Sequence, residues 1–317
     1  MVATDAADRP PVTWVLGSSG LLGGAVCREH ERRGLPVTTS RIPWGDHDAA
    51  VAALLDAAQA LPADGWRIAW CAGAGVVGTG QEALDAEVRI VEGFLERWRP
   101  AATGGSRAVF LASSAGGVYA GSADPPFTER TTPRPLAPYG HAKLRIEELF
   151  TRHAERSGVG LLVGRIANLY GPGQDVRKQQ GLISMLCHAL VNRGQVSVYV
   201  SLDTLRDYLY VDDAAAMVGH GLDAVQASGG THVKVLASGR AMTIGEVLGQ
   251  LTRISRRRPP VLLGTSAAAR FQVRDLRLRS TAWPDLDHCV RTPVGVGMAN
   301  CLVEAGATVR LATKGGS

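Results

Sequence analysis

A glycine-rich turn near the start of the chain restricts its possible folds more than any other feature. The apolar run Val12–Leu16 has the composition of a buried strand, and a helical segment follows the turn. Glycines at such a junction let the backbone approach a pyrophosphate closely, and the helix N-terminus supplies N–H donors. We therefore predict a dinucleotide site here, although a strand–helix turn without a ligand would use the same residues. The predicted contacts are Gly17, Ser19, Gly20, Leu21, Leu22 and Gly23.

Strand-like and helical segments alternate along the first half of the chain. This alternation is typical of a parallel sheet with helices on both faces. We expect a Rossmann-like, doubly wound α/β body over residues 12–167, after a flexible lead-in of residues 1–11. The looser pattern of residues 168–317 predicts a smaller, interleaved C-terminal lobe, mainly for substrate binding. The predicted strands cover residues 12–16, 35–40, 66–71, 107–113 and 160–166, and the predicted helices 21–33, 48–60, 84–98 and 138–156.

Composition and charge argue against several functional classes. The 317 residues contain no run of about 18 apolar residues, and the first 11 lack the apolar core of a signal peptide. The five cysteines form no Cys-x-x-Cys pair, which argues against a metal site and a disulfide framework and favours the reducing cytoplasm. The net charge of +5 reflects arginine clusters at 253–258 and 270–279 without interleaved aromatic residues. We interpret these arginines as a solvated face or as contacts for a diphosphate, and we expect no nucleic-acid or membrane partner.

Tyr139 and Lys143 are the strongest catalytic candidates. Residues four apart on a helix point the same way, and Pro138 suits the first turn of that helix. An ammonium beside a phenol favours the phenolate, so we expect Lys143 to lower the pKa of Tyr139 toward working pH. Tyr-x-x-x-Lys alone is common on amphipathic helices. Here it follows the glycine turn and the strand end at Ser113 and Ser114, which makes Tyr139 a candidate proton donor and acceptor.

The tip of the second predicted strand bears on the choice of cofactor. It ends at Ser40 and Arg41, with no acidic residue. A carboxylate there would bind the ribose hydroxyls of NAD and repel the 2′-phosphate of NADP, whereas Ser and Arg can bind that phosphate. We therefore predict NADP, with NAD as the alternative. Asp46 could contact the adenine amino group or only cap the next helix. The remaining predicted cofactor contacts are Ala72, Lys143 and Ile166.

Five motifs together resemble the extended short-chain dehydrogenase/reductase family, a group of NAD(P)-dependent nucleotide-sugar epimerases, dehydratases and reductases. The resemblance runs over nearly the whole chain. Each motif is only moderately specific, and their common order carries the assignment. The motifs are Gly17-Ser-Ser-Gly-Leu-Leu-Gly23, Leu111-Ala-Ser-Ser-Ala-Gly-Gly-Val-Tyr119, Pro138-Tyr-Gly-His-Ala-Lys143, Arg165-Ile-Ala-Asn-Leu-Tyr-Gly-Pro172 and Arg206-Asp-Tyr-Leu-Tyr-Val-Asp-Asp213.

The resemblance implies a role for each matching polar residue. Tyr139 is similar to the family's acid/base, and Lys143 to the residue that binds the nicotinamide ribose. The family's usual hydroxyl position falls here on Ala115, so Ser114 is our candidate for polarising the sugar oxygen, with Ser113 beside it. Substrate contacts are also implied at two positions of the C-terminal lobe. Asn168 is implied to contact the phosphate or base of the substrate, with a buried turn residue as the alternative. Arg206 is implied to contact the diphosphate, with a surface ion pair as the alternative.

The motifs also bear on the reaction. Family dehydratases place an Asp-Glu pair where this chain has Ala115, Gly116 and Gly117, so a 4,6-dehydratase is not expected. Arg41 and the short connection after the second strand favour a 4-keto-sugar reductase, similar to GDP-fucose synthase and dTDP-4-keto-rhamnose reductase. A 4-epimerase with bound NAD is the alternative. A non-catalytic dinucleotide-binding regulator is a remote one, since such proteins usually lose the Tyr or the Lys. The resemblance further implies a homodimer through the helix that carries Tyr139 and its neighbour.

Overall fold

The computed structural model describes residues 10–73, 75, 78–100, 106–178, 180–265 and 273–314, with side chains up to residue 307. Most of the predicted lead-in, and Arg270 of the second arginine cluster, lie outside the described residues. The helices are α1 (Leu21–Arg32), α2 (His47–Gln59), α3 (Gln81–Arg97), α4 (Ala115–Val118), α5 (Pro138–Ser157), α6 (Leu182–Asn192), α7 (Val211–Ser228), α8 (Ile244–Ser255) and α9 (Val294–Lys314).

The strands divide between one large sheet and two small ones. The large sheet has the order β2-β1-β3-β4-β5-β9, and all of its neighbouring strands are parallel. This confirms the predicted α/β class and parallel, doubly wound sheet. The strands are β1 (Val12–Leu16), β2 (Val37–Thr39), β3 (Trp66–Trp70), β4 (Arg107–Ser114), β5 (Gly160–Ile166), β6 (Asn168–Tyr170), β7 (Val196–Val198), β8 (Leu205–Tyr210), β9 (Thr231–Leu236), β10 (Ala241–Thr243), β11 (Val261–Leu263) and β12 (Asp275–Leu276).

Helices cover both faces of the large sheet. Successive strand residues face opposite sides, so Trp14 and Leu16 enter the core beneath α2, α3 and α5, while Val15 enters the core beneath α1 and α7. In α5, Pro138 occupies the first turn and Gly158, with φ of 67°, ends the helix. These local signals explain why the prediction for α5 was correct to within one residue.

The strand order reverses at β1, which lies between β2 and β3. Loops that follow the strands on the two sides of such a reversal diverge and leave a crevice at the carboxyl ends of the strands. The glycine turn after β1 and the loop after β3 therefore meet at this crevice. β2 is three residues long, shorter than the predicted 35–40; it is an edge strand, and Pro36 has no N–H for the ladder.

The second half of the chain adds to the large sheet and builds a separate region. β9 joins the edge of the large sheet, whereas β6, β10 and β12 surround β8, and β7 pairs with β11. The 21-residue helix α9 packs on α6 and α8 and was absent from the prediction. Its glycines weaken the sequence signal for a helix, yet a Cβ on Gly297 would lie 2.5 Å from the Tyr170 hydroxyl oxygen. Within the described residues, every helix is too short or too polar to span a bilayer.

Candidate active site

The glycine turn brings the N-terminus of α1 to the crevice. Gly17 has φ of 79°, and a Cβ there would lie 2.8 Å from the backbone N of Ala72, in the loop after β3. A Cβ on Gly23 would lie 2.2 Å from the Gly17 carbonyl oxygen. Both positions thus require glycine, the first for its backbone conformation and the second for helix–turn packing. The first turn of α1 has no acidic residue, so its N–H groups face no competing carboxylate.

A cavity of about 860 Å³ extends from this turn along the carboxyl ends of β3, β4 and β5 into the C-terminal region. It joins residues predicted from separate motifs, including cofactor, catalytic and substrate candidates. Among its lining residues are Leu21, Leu22, Ala72, Ser113, Ser114, Tyr139, Lys143, Ile166, Asn168 and Arg206.

Tyr139 and Lys143 lie one turn apart at the start of α5 and both line the cavity. The Lys143 Nζ is 5.8 Å from the centroid of the Tyr139 ring and 3.4 Å from Glu87 Oε1 on α3. Burial by itself would lower the pKa of Lys143, but the neighbouring Tyr139 and Glu87 hold it above its ordinary value. These neighbours therefore favour the protonated, positively charged form of Lys143 beside the phenol.

Glycines frame the Tyr139 ring. A Cβ on Gly117 would lie 3.0 Å from Tyr139 Cε1, and a Cβ on Gly75 would lie 3.2 Å from Cδ2. The ring is therefore packed between two backbone segments, and its orientation is independent of its hydroxyl.

The two serines at the end of β4 have different partners. Ser114 caps α4, and its Oγ accepts a hydrogen bond from the Gly117 N–H at 3.1 Å, which leaves its hydroxyl hydrogen for a group in the cavity. Ser113 donates to Glu147 Oε1 at 2.5 Å, and Glu147 is also held by Arg165. Ser114 is thus the better placed donor, whereas the hydrogen of Ser113 is directed into the protein. Ala115 is fully buried, with no hydroxyl to contribute.

The far part of the cavity contains Asn168 and Arg206. Asn168 donates from Nδ2 to the Asp207 carbonyl oxygen at 3.1 Å, and Arg206 donates from Nη1 to the carbonyl oxygens of Leu205 and Val273. Burial lowers the pKa of Arg206, because its guanidinium has lost much of its hydration. An anion in the cavity would restore part of that lost stabilisation. Asp207 is fully buried and accepts from the Ser238 N–H at 2.7 Å.

The predicted contacts for the adenosine end lie outside this cavity, after β2. Ser40 Oγ accepts from the Trp14 indole N–H at 3.1 Å, and Arg41 is exposed. Asp46 caps α2 by accepting from the Ala49 N–H at 3.1 Å. The capping alternative for Asp46 is thus observed, and its contact with adenine stays a prediction, as do the contacts of Ser40 and Arg41.

Sequence similarity agrees with this geometry. A sequence model of the NAD dependent epimerase/dehydratase family matches residues 13–236. The chain belongs to this family. This confirms the family resemblance that the five motifs had indicated.

Members of the family differ in their reactions. The chain is 28% identical over 144 residues to dTDP-4-dehydro-6-deoxyglucose reductase from Escherichia coli, covering 45% of this chain and 44% of that relative. It is 28% identical over 200 residues to UDP-glucose 4-epimerase from Streptomyces lividans, covering 54% and 60%. The chain thus matches about half the length of these curated relatives. Among solved structures, MoeE5 in complex with UDP-glucose and NAD has a TM-score of 0.79 at 22% identity, covering 94% of this chain and 99% of MoeE5.

Glu87 and the segment around β7 are among the parts of the site that sequence reasoning missed. Glu87 contacts Lys143, and its position between Leu84 and Val91 on the buried face of α3 is a signal that could have identified it. The segment around β7 also lines the cavity, from Gln195 to Val200. No motif marks that segment, because backbone position alone places it there.

Proposed function

We propose that this protein is an NAD(P)-dependent oxidoreductase that reduces the keto group of a 4-keto nucleotide sugar. The proposal is carried by one observation: a single cavity connects the Tyr139–Lys143 pair and Ser114 with the Arg206 guanidinium. This arrangement provides a proton donor for a carbonyl oxygen at one end and a cation for a diphosphate at the other.

The residues of the glycine turn fit a dinucleotide. Glycine at residues 17 and 23 lets the turn pack closely against the loop after β3 and against the start of α1, and Leu21, Leu22 and Ile166 provide apolar cavity wall. A pyrophosphate would receive N–H donors from the N-terminus of α1. When bound, the reduced nicotinamide supplies the hydride for the carbonyl carbon.

Side chains of this protein supply the proton that the carbonyl oxygen needs. Tyr139 donates its phenolic proton to the carbonyl oxygen as that oxygen gains charge, and Lys143 stabilises the phenolate that remains. Ser114 donates a hydrogen bond to the same oxygen and holds it in place. Arg206 and Asn168 hold the diphosphate, which keeps the sugar at Tyr139.

The preferred cofactor in this proposal is NADP. Arg41 is exposed directly after β2, where its guanidinium is free to meet a 2′-phosphate, and Ser40 offers a hydroxyl beside it. NAD is the alternative, and the complex of MoeE5 with NAD favours it.

A 4-epimerase is the second candidate. Such an enzyme has to let a keto sugar turn within its site, and the cavity wall beside Tyr139 is formed by Gly75, Gly116 and Gly117, which have no side chains. The similarity to UDP-glucose 4-epimerase from Streptomyces lividans supports the same candidate.

The two candidates are distinguished by supplying each substrate separately. NADPH with dTDP-4-keto-6-deoxyglucose tests the reductase through loss of NADPH absorbance, with Tyr139→Phe as the inactive control. NAD with UDP-glucose tests the epimerase through formation of UDP-galactose. NADPH oxidation supports the main proposal, conversion of UDP-glucose alone supports the second, and wild-type turnover by Tyr139→Phe contradicts both mechanisms.

We further propose a homodimer that involves α3 and α5. These helices pack side by side, and their outer surface carries Glu92 and Glu96 on α3 and Arg152 and Arg156 on α5. A two-fold axis at this surface would bring side chains of both signs from the two copies together. Sedimentation equilibrium at low and high salt measures the association.

A further inference from the structure

Lys143 has an acidic partner from a different helix. Its Nζ lies 3.4 Å from Glu87 Oε1, and the two side chains are only 10% and 14% exposed. Glu87 comes from the middle of α3, whereas Lys143 comes from the first turns of α5. An ion pair at this depth is weakly screened by salt and solvent.

A second carboxylate near Lys143 already has a positively charged partner of its own. Glu147, one turn further along α5, accepts from Arg165 Nη2 at 2.7 Å and from Ser113 Oγ at 2.5 Å. Its negative charge is therefore balanced by a guanidinium on β5. Glu87 is left as the carboxylate that pairs with the Lys143 ammonium.

Gly73 leaves room for the charged ends of this ion pair. A Cβ at residue 73 would lie 2.9 Å from Lys143 Nζ and 3.2 Å from Glu87 Oε1. Any larger residue would press on both charged ends. The glycine thus leaves room for both charged ends, and Lys143 lines the cavity next to the ring of Tyr139.

We propose that Glu87 is a positioning residue that orients Lys143 and sets the pH at which the Tyr139–Lys143 pair releases its proton. The inference rests on the proposed acid/base role of Tyr139. The Lys143 ammonium lies 5.8 Å from the centroid of the Tyr139 ring, and a negative charge near these two groups makes release of a proton harder. Removing the negative charge of Glu87 therefore lowers the pH at which a proton is released, whether Tyr139 or Lys143 releases it. The charged groups that face the pair are Glu87 from α3 and Glu147, which Arg165 compensates.

Ultraviolet titration of tyrosinate tests this inference without substrate. The chain has six tyrosines, so the Tyr139 signal is obtained by subtracting the curve of the matching Tyr139→Phe protein. We expect the midpoint to fall by about one pH unit in Glu87→Gln, since an opposite or like charge at this range typically shifts a titration by one unit or more. Glu82→Gln, at an exposed position in the first turn of α3, is the matched control and is expected to leave the midpoint unchanged.

Glu87→Asp is the variant to titrate if Glu87→Gln does not fold. It keeps the charge but withdraws it by one methylene, and we expect a smaller shift in the same direction. Thermal melting establishes which variants are folded over the titrated range. Superimposable curves for wild type and the folded Glu87 variants, or a shift to higher pH, would overturn the proposal. Failure of the proposed function is recognised separately, as wild-type turnover by Tyr139→Phe.

Discussion

Replacing Tyr139 with Phe isolates the acid/base step from folding and binding. The ring is packed between Gly75 and Gly117, with framing distances of 3.2 and 3.0 Å, so Phe can occupy the same space. Lys143 keeps its ion pair with Glu87, which involves no atom of Tyr139. The substitution therefore removes the phenolic proton and leaves the surrounding packing in place.

The expected loss of turnover is about 10²–10⁴-fold, the usual contribution of general acid–base catalysis. At about 1.36 kcal/mol per factor of ten, this is roughly 3–5 kcal/mol of barrier, far more than the loss of one packing contact would give. The effect should appear in kcat, while the Kd for NADPH and the melting temperature stay close to wild type.

Single-turnover kinetics with saturating NADPH measure the chemical step, and fluorescence titration measures cofactor affinity. Turnover within a few-fold of wild type would remove Tyr139 from the mechanism. A fall in melting temperature or cofactor affinity that matched the loss of turnover would instead assign Tyr139 a structural role.

Other substitutions test the remaining parts of the site. Lys143→Met removes the charge that stabilises the phenolate, so we expect lower activity, weaker dinucleotide binding and a higher pH optimum; an unchanged pH profile would contradict this. Arg41→Asp is expected to reverse a preference for NADPH of roughly tenfold to a hundredfold, as one charge-assisted hydrogen bond would give, and equal wild-type affinities for NADPH and NADH would refute the assignment. Gly23→Ala introduces a Cβ 2.2 Å from a backbone oxygen of the turn, so dinucleotide affinity should fall by roughly tenfold or more in a titration, whereas Gly45→Ala, with open space around it, should match wild type. Burial alone would raise the pKa of Glu129, but hydrogen bonds from a serine hydroxyl and backbone N–H groups hold it below its ordinary value. The ionised Glu129 carboxylate therefore contributes its full stabilisation above about pH 4.3, and this contribution is lost as the pH falls through the pKa of Glu129 in the folded state. Glu129→Gln should therefore reduce the loss of stability at acid pH, measured by circular dichroism.

The first half of the chain was predictable because its signals are local. Strand 66–71 is observed as Trp66–Trp70, and helix 138–156 as Pro138–Ser157. β1, β3 and β5 are buried on both faces, so their residues form nearly continuous apolar runs. Proline, glycine and capping residues then mark the helix ends.

Some elements of the C-terminal region were less predictable because they depend on their packing partners. Helix α9 contains Gly295, Gly297 and Gly306, which disfavour a helix, and it is held by packing on α6 and α8. β12 is two residues long and exists through its pairing with β8. Such elements carry little information in their own sequence.

The sequence by itself determined the glycine turn, the Tyr139–Lys143 spacing and the order of the family motifs, because each depends on residues close together in the chain. Only the tertiary structure decided that Ser114 accepts a hydrogen bond from the Gly117 N–H while Ser113 donates to Glu147. It also decided that Lys143 pairs with Glu87, 56 residues earlier. These contacts follow from the packing of α3 and α5 on the same face of the sheet, and no local pattern of residues encodes which side chains meet there.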